Sequence, residues 1–357
     1  MKKKRTWLKV FLIILGVLLL LAVLAIVAVI LYINSKLNLM QRPVGTLDTP
    51  SPSQMLEYSI ANTDVMPEDY TGEILNPEDI EWETLPEAPI ETQEDIINIL
   101  LIGADREVGG RSRSDAMILC TYNRKDGTLL LTSFMRDMYL PIPGYADNRI
   151  NASYFFGGIP LLNKCIYQNF GIEIDGNFLV DFDSFINVID AVDGVDINLT
   201  AAEAEYMNNS ALWEPQDKYL AGTFREGVNH LNGVAALSYA RNRSVGMWDF
   251  TRTERQRNVL SSLFNRCKQM SISQLDSLLD ELLPLVTTDM SNGEIIDLAV
   301  SVIPDISGIS VNTHRIPADG LCRDAWVSGM AVLIPDLERS RQQLEALIYG
   351  EQLEETP

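Results

Sequence analysis

The sequence predicts an α/β domain, a mixed central sheet covered by helices on both faces in an α/β/α sandwich, preceded by one transmembrane helix. Three observations carry this expectation. After Ile96, short apolar runs of strand length alternate with longer segments of helical period, the pattern of a sheet with helices packed on it. An uncharged apolar run from Val10 to Ile33 follows Lys2, Lys3, Lys4, Arg5 and Lys9. Between the two, residues 34–96 show no sustained apolar period.

The run from Val10 to Ile33 holds 24 residues, about 36 Å of helix against a ~30 Å hydrocarbon core. A cleavable signal peptide would carry roughly 7–15 apolar residues and a small-x-small site, and none follows before Asn34. Basic residues before the span keep residues 1–9 as a short cytoplasmic tail, so the chain from Asn34 onward faces outside. From Gln41 to Ile96 there are 14 acidic residues against the single Arg42, with seven of the 16 prolines. This composition predicts an extended acidic stalk over 34–96 that acts as a spacer.

The folded domain is expected over 97–350. Ile97 to Ile102 reads as a buried strand, and Ala116–Tyr122 and Thr128–Ser133 as two more, joined by a turn with Asp126-Gly127. Leu161–Phe170 looks helical, Asn177–Phe182 extended, and Phe185–Val192 helical with Asp183 as its N-cap. A strand follows at Val195–Leu199, then helices at Leu231–Ala240 and Thr251–Met270, and more helix between Gln274 and Ile303. A last strand near Ile309–Ile316 precedes a helix at Leu337–Leu347.

A net charge of −21, or −26 once the basic tail is set aside, excludes a general nucleic-acid binder. Cys120, Cys165, Cys267 and Cys322 show no C-x-x-C spacing and the chain has only two histidines, which argues against zinc. The spacing selects no disulfide pairing, and buried free thiols fit equally. There is no G-x-S-x-G elbow, P-loop, H-E-x-x-H or G-x-G-x-x-G, and His230 and His314 read as structural.

Arginine at the ends of elements is what remains. The segment Arg241–Arg257 holds five arginines against Asp249 and Glu254, a local +3 in an acidic chain. Thr251-Arg252-Thr253-Glu254 fits a capping box, and Arg252, Arg255, Gln256, Val259, Leu260, Leu263, Phe264 and Cys267 then share one helix face. Buried guanidinium groups need either protein carboxylates or a bound anion, which the helix N-terminus also favours. An internal network with Asp105, Asp115 or Asp137 and an anion site fit this helix equally. Asp105 closes the first strand and Asp115 opens the second, a pair able to hold one Mg²⁺ with phosphate oxygens. With Arg136 and Asp137 after the third strand, the set describes a pyrophosphate site. Because Val259, Leu260 and Leu263 continue the arginine stripe, that site is expected at the mouth of an apolar slot suited to a lipid tail, while most of these apolar side chains are expected simply to pack on the sheet.

Taken in order, these blocks resemble a known family. Gly103-Ala104-Asp105-Arg106, Arg113-Ser114-Asp115, Met135-Arg136-Asp137, Ile142-Pro143-Gly144, Arg149-Ile150-Asn151-Ala152-Ser153-Tyr154 with Gly157-Gly158, Val192-Asp193-Gly194-Val195, Leu231-Asn232-Gly233, Tyr239-Ala240-Arg241-Asn242-Arg243 and Asp249 to Gln256 look like the LytR-CpsA-Psr family of cell-wall proteins, within 97–269. The short cytoplasmic tail and single span fit it as well. The resemblance implies a magnesium-dependent transferase outside the membrane of Gram-positive bacteria. Such an enzyme moves an anionic glycopolymer, of teichoic acid or capsular polysaccharide type, from a polyprenyl pyrophosphate carrier to the 6-hydroxyl of a muramic acid residue in peptidoglycan. It implies metal roles for Asp105 and Asp115, and places Arg113, Arg136, Arg241, Arg243, Arg252, Arg255 and Gln256 in the pyrophosphate-binding and catalytic set. Met135 stands where the family often has Pro and Tyr139 where it often has a basic residue, which leaves one phosphate contact absent or supplied by Arg149. Residues 270–350 carry no assignable motif. A non-catalytic sensor of lipid-linked wall precursors and a polyprenyl pyrophosphate pyrophosphatase are the competing readings.

Overall fold

The computed structural model describes residues 28–43, 47–82, 95–104, 111–209 and 223–349. In chain order its elements are α1, described over 28–37; α2 Pro52–Asn62, β1 Glu73–Leu75, β2 Ile96–Ala104, β3 Ser114–Asn123, β4 Thr128–Phe134, β5 Tyr139–Leu140, β6 Asn148–Arg149, α3 Asn151–Phe170 and β7 Gly176–Val180. Then come α4 Phe182–Ala191, β8 Val195–Leu199, α5 Ala201–Asn209, β9 Gly227–Leu231, α6 Gly233–Arg241, α7 Trp248–Cys267, α8 Ile272–Leu282, β10 Thr287–Thr288 and α9 Asn292–Val302. The chain continues through β11 Ser310–Ile316, β12 Cys322–Val327, β13 Met330–Pro335 and α10 Leu337–Tyr349.

Six strands form the central sheet in the order β10-β7-β2-β3-β4-β11. It is mixed as expected: β2 runs parallel to β7 and β4 parallel to β11, while β2, β3 and β4 form an antiparallel meander. Side chains alternate across it. Phe134 packs on Phe170 of α3 with ring centroids 5.2 Å apart, whereas its neighbour Ser133 accepts a hydrogen bond from Arg257 of α7 at 2.8 Å. Helices therefore cover both faces. The main core lies on the α3 side, where Leu100, Ile102, Met117, Leu119 and Phe134 meet Phe155, Phe156, Ile166 and Leu344. A second cluster joins Ile189, Val195, Leu231, Ala236, Tyr239 and Val259.

Several element boundaries fall elsewhere than expected. The N-cap of α4 is Asp181, which accepts from Ser184 N at 2.7 Å, and not Asp183. Helix α7 starts at Trp248, so Thr251 is inside it; its Oγ1 takes the Met247 N–H at 2.7 Å and no capping box forms at Glu254. Helix α3 begins ten residues before Leu161, carried through a kink at Gly158 (φ 65°) beside Pro160. That kink needs a residue tolerant of positive φ, which glycine supplies. Strands β12 and β13, absent from the sequence reading, pair in a hairpin. All four cysteines are free thiols and Cys165 is buried.

The expected stalk is corrected over its described part. Strand β1 pairs in parallel with β12, Tyr58 and Ile80 are buried, and Trp82 donates to Asp147 at 2.6 Å. Net acidity reflects the solvent face of this segment, while a few irregularly spaced apolar side chains fasten it to the core. Upstream, Gln41 N donates to Val286 O at 3.0 Å and Arg42 Nη2 to Asn292 Oδ1 at 2.6 Å, so the chain is tied to the domain there too. Most of the expected span, 10–27, lies outside the described residues, and among the described residues no helix is long and apolar enough to cross a membrane.

Candidate active site

The sheet topology gathers the predicted residues at one end. Gly103 pairs with Ala116 and with Val180, and β4 runs antiparallel to β3. The end of β2, the start of β3, the end of β4 and the entry to α4 are thus neighbours, the position where ligands lodge in open α/β sheets. A cavity of about 350 Å³ opens there, lined by Arg113, Asp115, Arg136, Arg149, Arg241, Arg243, Arg252 and Gln256, and by Ala61, Asn62, Asp64, Gly103, Ala116, Asn151 and Phe182.

Six arginines converge on this space and are held in distinct ways. Arg136 donates from Nη1 to Asp115 Oδ1 at 2.5 Å, with Asp137 Oδ2 at 3.4 Å and Asp249 Oδ2 at 3.8 Å. Arg243 grips Asp249 through two bonds, Nε at 2.6 Å and Nη2 at 2.5 Å. Arg149 reaches Asp137 at 3.2 Å and Asp64 at 3.3 Å, and Arg241 lies over the Phe182 ring at 4.5 Å. Arg252 meets Asp249 Oδ1 at 3.1 Å through Nη1, while its Nε and Nη2 are buried without a hydrogen-bond partner.

Burial and charge set the ionisation of this cluster. Burial drives Arg252 down to about 10, with the Arg136 charge adding to the effect. For Asp115, burial works upward, but the Arg136 guanidinium outweighs it and the carboxyl stays below its usual range. Asp249 is likewise held well below that range against burial, chiefly by its bonds to Arg243 and Asp137. Asp137 goes the other way, raised by burial and by the neighbouring Asp249 carboxyl despite Arg136. Two carboxyl groups in one buried site do not both ionise freely.

Three expected members stand elsewhere. Arg255 is 1% exposed. Its Nε donates to Glu203 Oε1 at 2.7 Å, and its two terminal nitrogens to the carbonyls of Asn242 and Val245, both at 2.8 Å. It does not line the cavity; it holds the loop between α6 and α7, so the expectation that it meets the anion is corrected. Val259 is buried in the second core cluster and Leu263 packs against it, so this part of the helix face fills the core rather than an open slot. Asp105 lies outside the described residues.

Asp115 has the character a hard cation requires, an ionised oxygen donor on the cavity wall. Among the described residues no group of three His, Cys, Asp or Glu side chains could hold a metal ion. Sequence reasoning missed Asn62 and Asp64, which came from the expected stalk and carried no signal. It also missed Asp249 as the common partner of three arginines, although that residue opens the Asp249–Gln256 block.

The family model LytR_cpsA_psr matches residues 69–348. This chain belongs to the LytR-CpsA-Psr family. It is 35% identical over 169 residues to the regulatory protein MsrR of Staphylococcus aureus, 47% of this chain and 48% of that one. It is 30% identical over 192 residues, 52% of this chain and 58% of the relative, to the polyisoprenyl-teichoic acid–peptidoglycan teichoic acid transferase TagT of Bacillus subtilis. The aligned stretch thus spans about half the length of these relatives. The fold superposes on TagT bound to LIIa-WTA with TM-score 0.58 at 22% identity, over 72% of this chain and 91% of that one. A TagT structure with bound octaprenyl pyrophosphate lipid gives TM-score 0.54 at 21% identity, over 76% and 93%.

Proposed function

We propose that this chain is a membrane-anchored, extracellular phosphotransferase that attaches an anionic glycopolymer, of teichoic acid or capsular polysaccharide type, from a polyprenyl pyrophosphate carrier to peptidoglycan. The observation that carries the reading is Arg252, whose Nε and Nη2 are buried without a protein acceptor in a cavity shared with five other arginines. A protein that gathers more positive charge than it neutralises stabilises a bound anion of high charge, and a pyrophosphate matches guanidinium forks. The naming of TagT as a teichoic acid transferase and the octaprenyl pyrophosphate in its structure support the same chemistry.

A peptidoglycan hydroxyl attacks the phosphorus that bears the glycopolymer, forming one P–O bond as the bond to polyprenyl phosphate breaks. The hydroxyl proton ends on the departing phosphate or in water. Arg113, Arg136, Arg241, Arg243 and Arg252 hold the charge that grows on the leaving group, with Arg149 and Gln256 binding its oxygens. Asp115, with Asp105, would hold a magnesium ion, which when bound would supply further neutralisation of the leaving phosphate. The run 10–33 anchors the protein in the cell membrane with its N-terminus in the cytoplasm.

Incubation of the full-length protein with a lipid-linked teichoic acid precursor and a peptidoglycan oligomer tests the reading by mass. A covalent polymer–glycan adduct is expected. Release of polyprenyl phosphate with hydrolysed polymer and no adduct would identify a pyrophosphatase instead, and no turnover with retained binding would favour the sensor.

A further inference from the structure

Helix α2 and the turn after it precede the stretch that matches the family model, yet Ala61, Asn62 and Asp64 form part of the arginine cavity. Asn62 is 5% exposed, and its Nδ2, Oδ1 and backbone carbonyl oxygen are each engaged. Its Nδ2 donates to Tyr58 O at 2.7 Å, which fixes the direction of the amide. Its Oδ1 accepts from Arg113 Nη1 at 2.9 Å, and its carbonyl oxygen accepts from Arg149 Nη2 at 2.6 Å. One residue therefore orients two of the six cavity arginines.

Anchors on both sides hold Asn62 in place. Upstream, the Tyr58 ring packs on Phe155 at 4.7 Å and Phe156 at 5.2 Å, and its hydroxyl donates to Asn148, the neighbour of Arg149, at 3.4 Å. Downstream, Asp64 N donates to Gly329 O at 2.9 Å, and Asp64 Oδ2 accepts from Ala331 N at 3.0 Å. The chemistry of the acceptor matters as much as its place. An amide oxygen fixes the direction of a guanidinium without adding negative charge, whereas the carboxylates around Arg136 and Arg243 cancel charge as they orient.

We propose that Asn62 is a positioning residue for the carrier pyrophosphate, so that the segment leading into the family domain completes the site. This rests on the reading of the cavity as a pyrophosphate site. The full-length protein in detergent micelles, titrated with farnesyl pyrophosphate and followed by thermal melts, provides the test. Asn62→Ala is expected to weaken binding about tenfold, the scale of one hydrogen bond to a charged group. Asn62→Asp keeps an acceptor for Arg113 and is expected to melt close to the wild type, the charge-assisted contact offsetting the lost Nδ2 bond. Its binding falls at least as far, because its charge opposes the anion. If Asn62 merely held α2, the folded fraction of Asn62→Ala would bind as the wild type does, and that result overturns the inference, as does wild-type binding by Asn62→Asp. Should Asn62→Ala fail to fold, Asn62→Asp decides alone. A wild-type chain that does not bind farnesyl pyrophosphate would overturn the cavity reading and this inference together.

Discussion

Arg252 and Arg255 stand three positions apart on α7 and meet opposite surroundings. The Arg255 guanidinium is matched within the protein by Glu203 and two carbonyls. Arg255→Ala should cost about 3–5 kcal/mol of stability by leaving Glu203 buried without its ion partner, which denaturant unfolding measures. Glu203 also sets a pH signature. Burial would raise its pKa, but bonds from Thr200 and Arg255 hold it below 4.5 in the folded state. A depressed folded pKa contributes stability above the unfolded value that is lost as pH falls through the folded one. In the wild type this contribution should fade below about pH 4.5, and in Arg255→Ala the acid limb should be shallower. Arg252→Ala should behave in reverse. It removes two buried nitrogens without partners, and Asp249 keeps Arg243. The melting temperature should hold or rise while affinity for farnesyl pyrophosphate drops by about 10- to 150-fold. A severe loss of stability with unchanged affinity would place Arg252 among the purely structural arginines.

At the scale of elements, α2 separates a spacer from a working part of the domain. Tyr58 is 3% exposed and belongs to the main core. If α2 unfolds with the domain, Tyr58→Ala should lower global stability by about 3–5 kcal/mol, as other buried aromatic truncations do. A spacer would lose almost nothing, so a single unfolding curve distinguishes the two. The meander β2-β3-β4 matters for a different reason. Its turns carry Asp115 to the start of one strand and Arg136 past the end of the next, which sets their 2.5 Å contact by backbone register rather than by side-chain reach.

For the whole molecule, charge and topology meet. A domain this acidic repels anions at long range, so the arginine cavity acts at contact, where buried guanidinium groups are weakly screened. Protease added to intact, wall-stripped cells should remove the domain if 10–33 spans the membrane with the C-terminus outside; protection of the full-length chain would refute that topology. Chelation of magnesium should abolish turnover, and Asp105→Ala should do the same with the fold intact. Turnover in Asp105→Ala that kept the wild-type magnesium dependence would remove Asp105 from the metal site.

The sequence by itself determined three strands of the central sheet with the turn that joins two of them, the cover of helices, and which strand ends carry Arg113, Asp115 and Arg136, because apolar periodicity and strand-end chemistry are local properties of the chain. It did not reveal β12 and β13, which pair with each other across the short Ser328-Gly329 turn and of which β12 also reaches back to β1 across some 250 residues. Only the tertiary structure decided how one helical stripe divides. Successive residues of a helix are turned by about 100°, so periodicity defines a face but not what each part of it meets. Arg252 and Gln256 open on the cavity, Arg255 turns to Glu203 on α5, 52 residues earlier in the chain, and Val259 enters the core. The position of Asn62 was settled in the same way. Acidic composition hid a helix held by Tyr58 alone among its buried apolar residues, and its contacts with Arg113 and Arg149 exist only once β3, β6 and α2 have packed together.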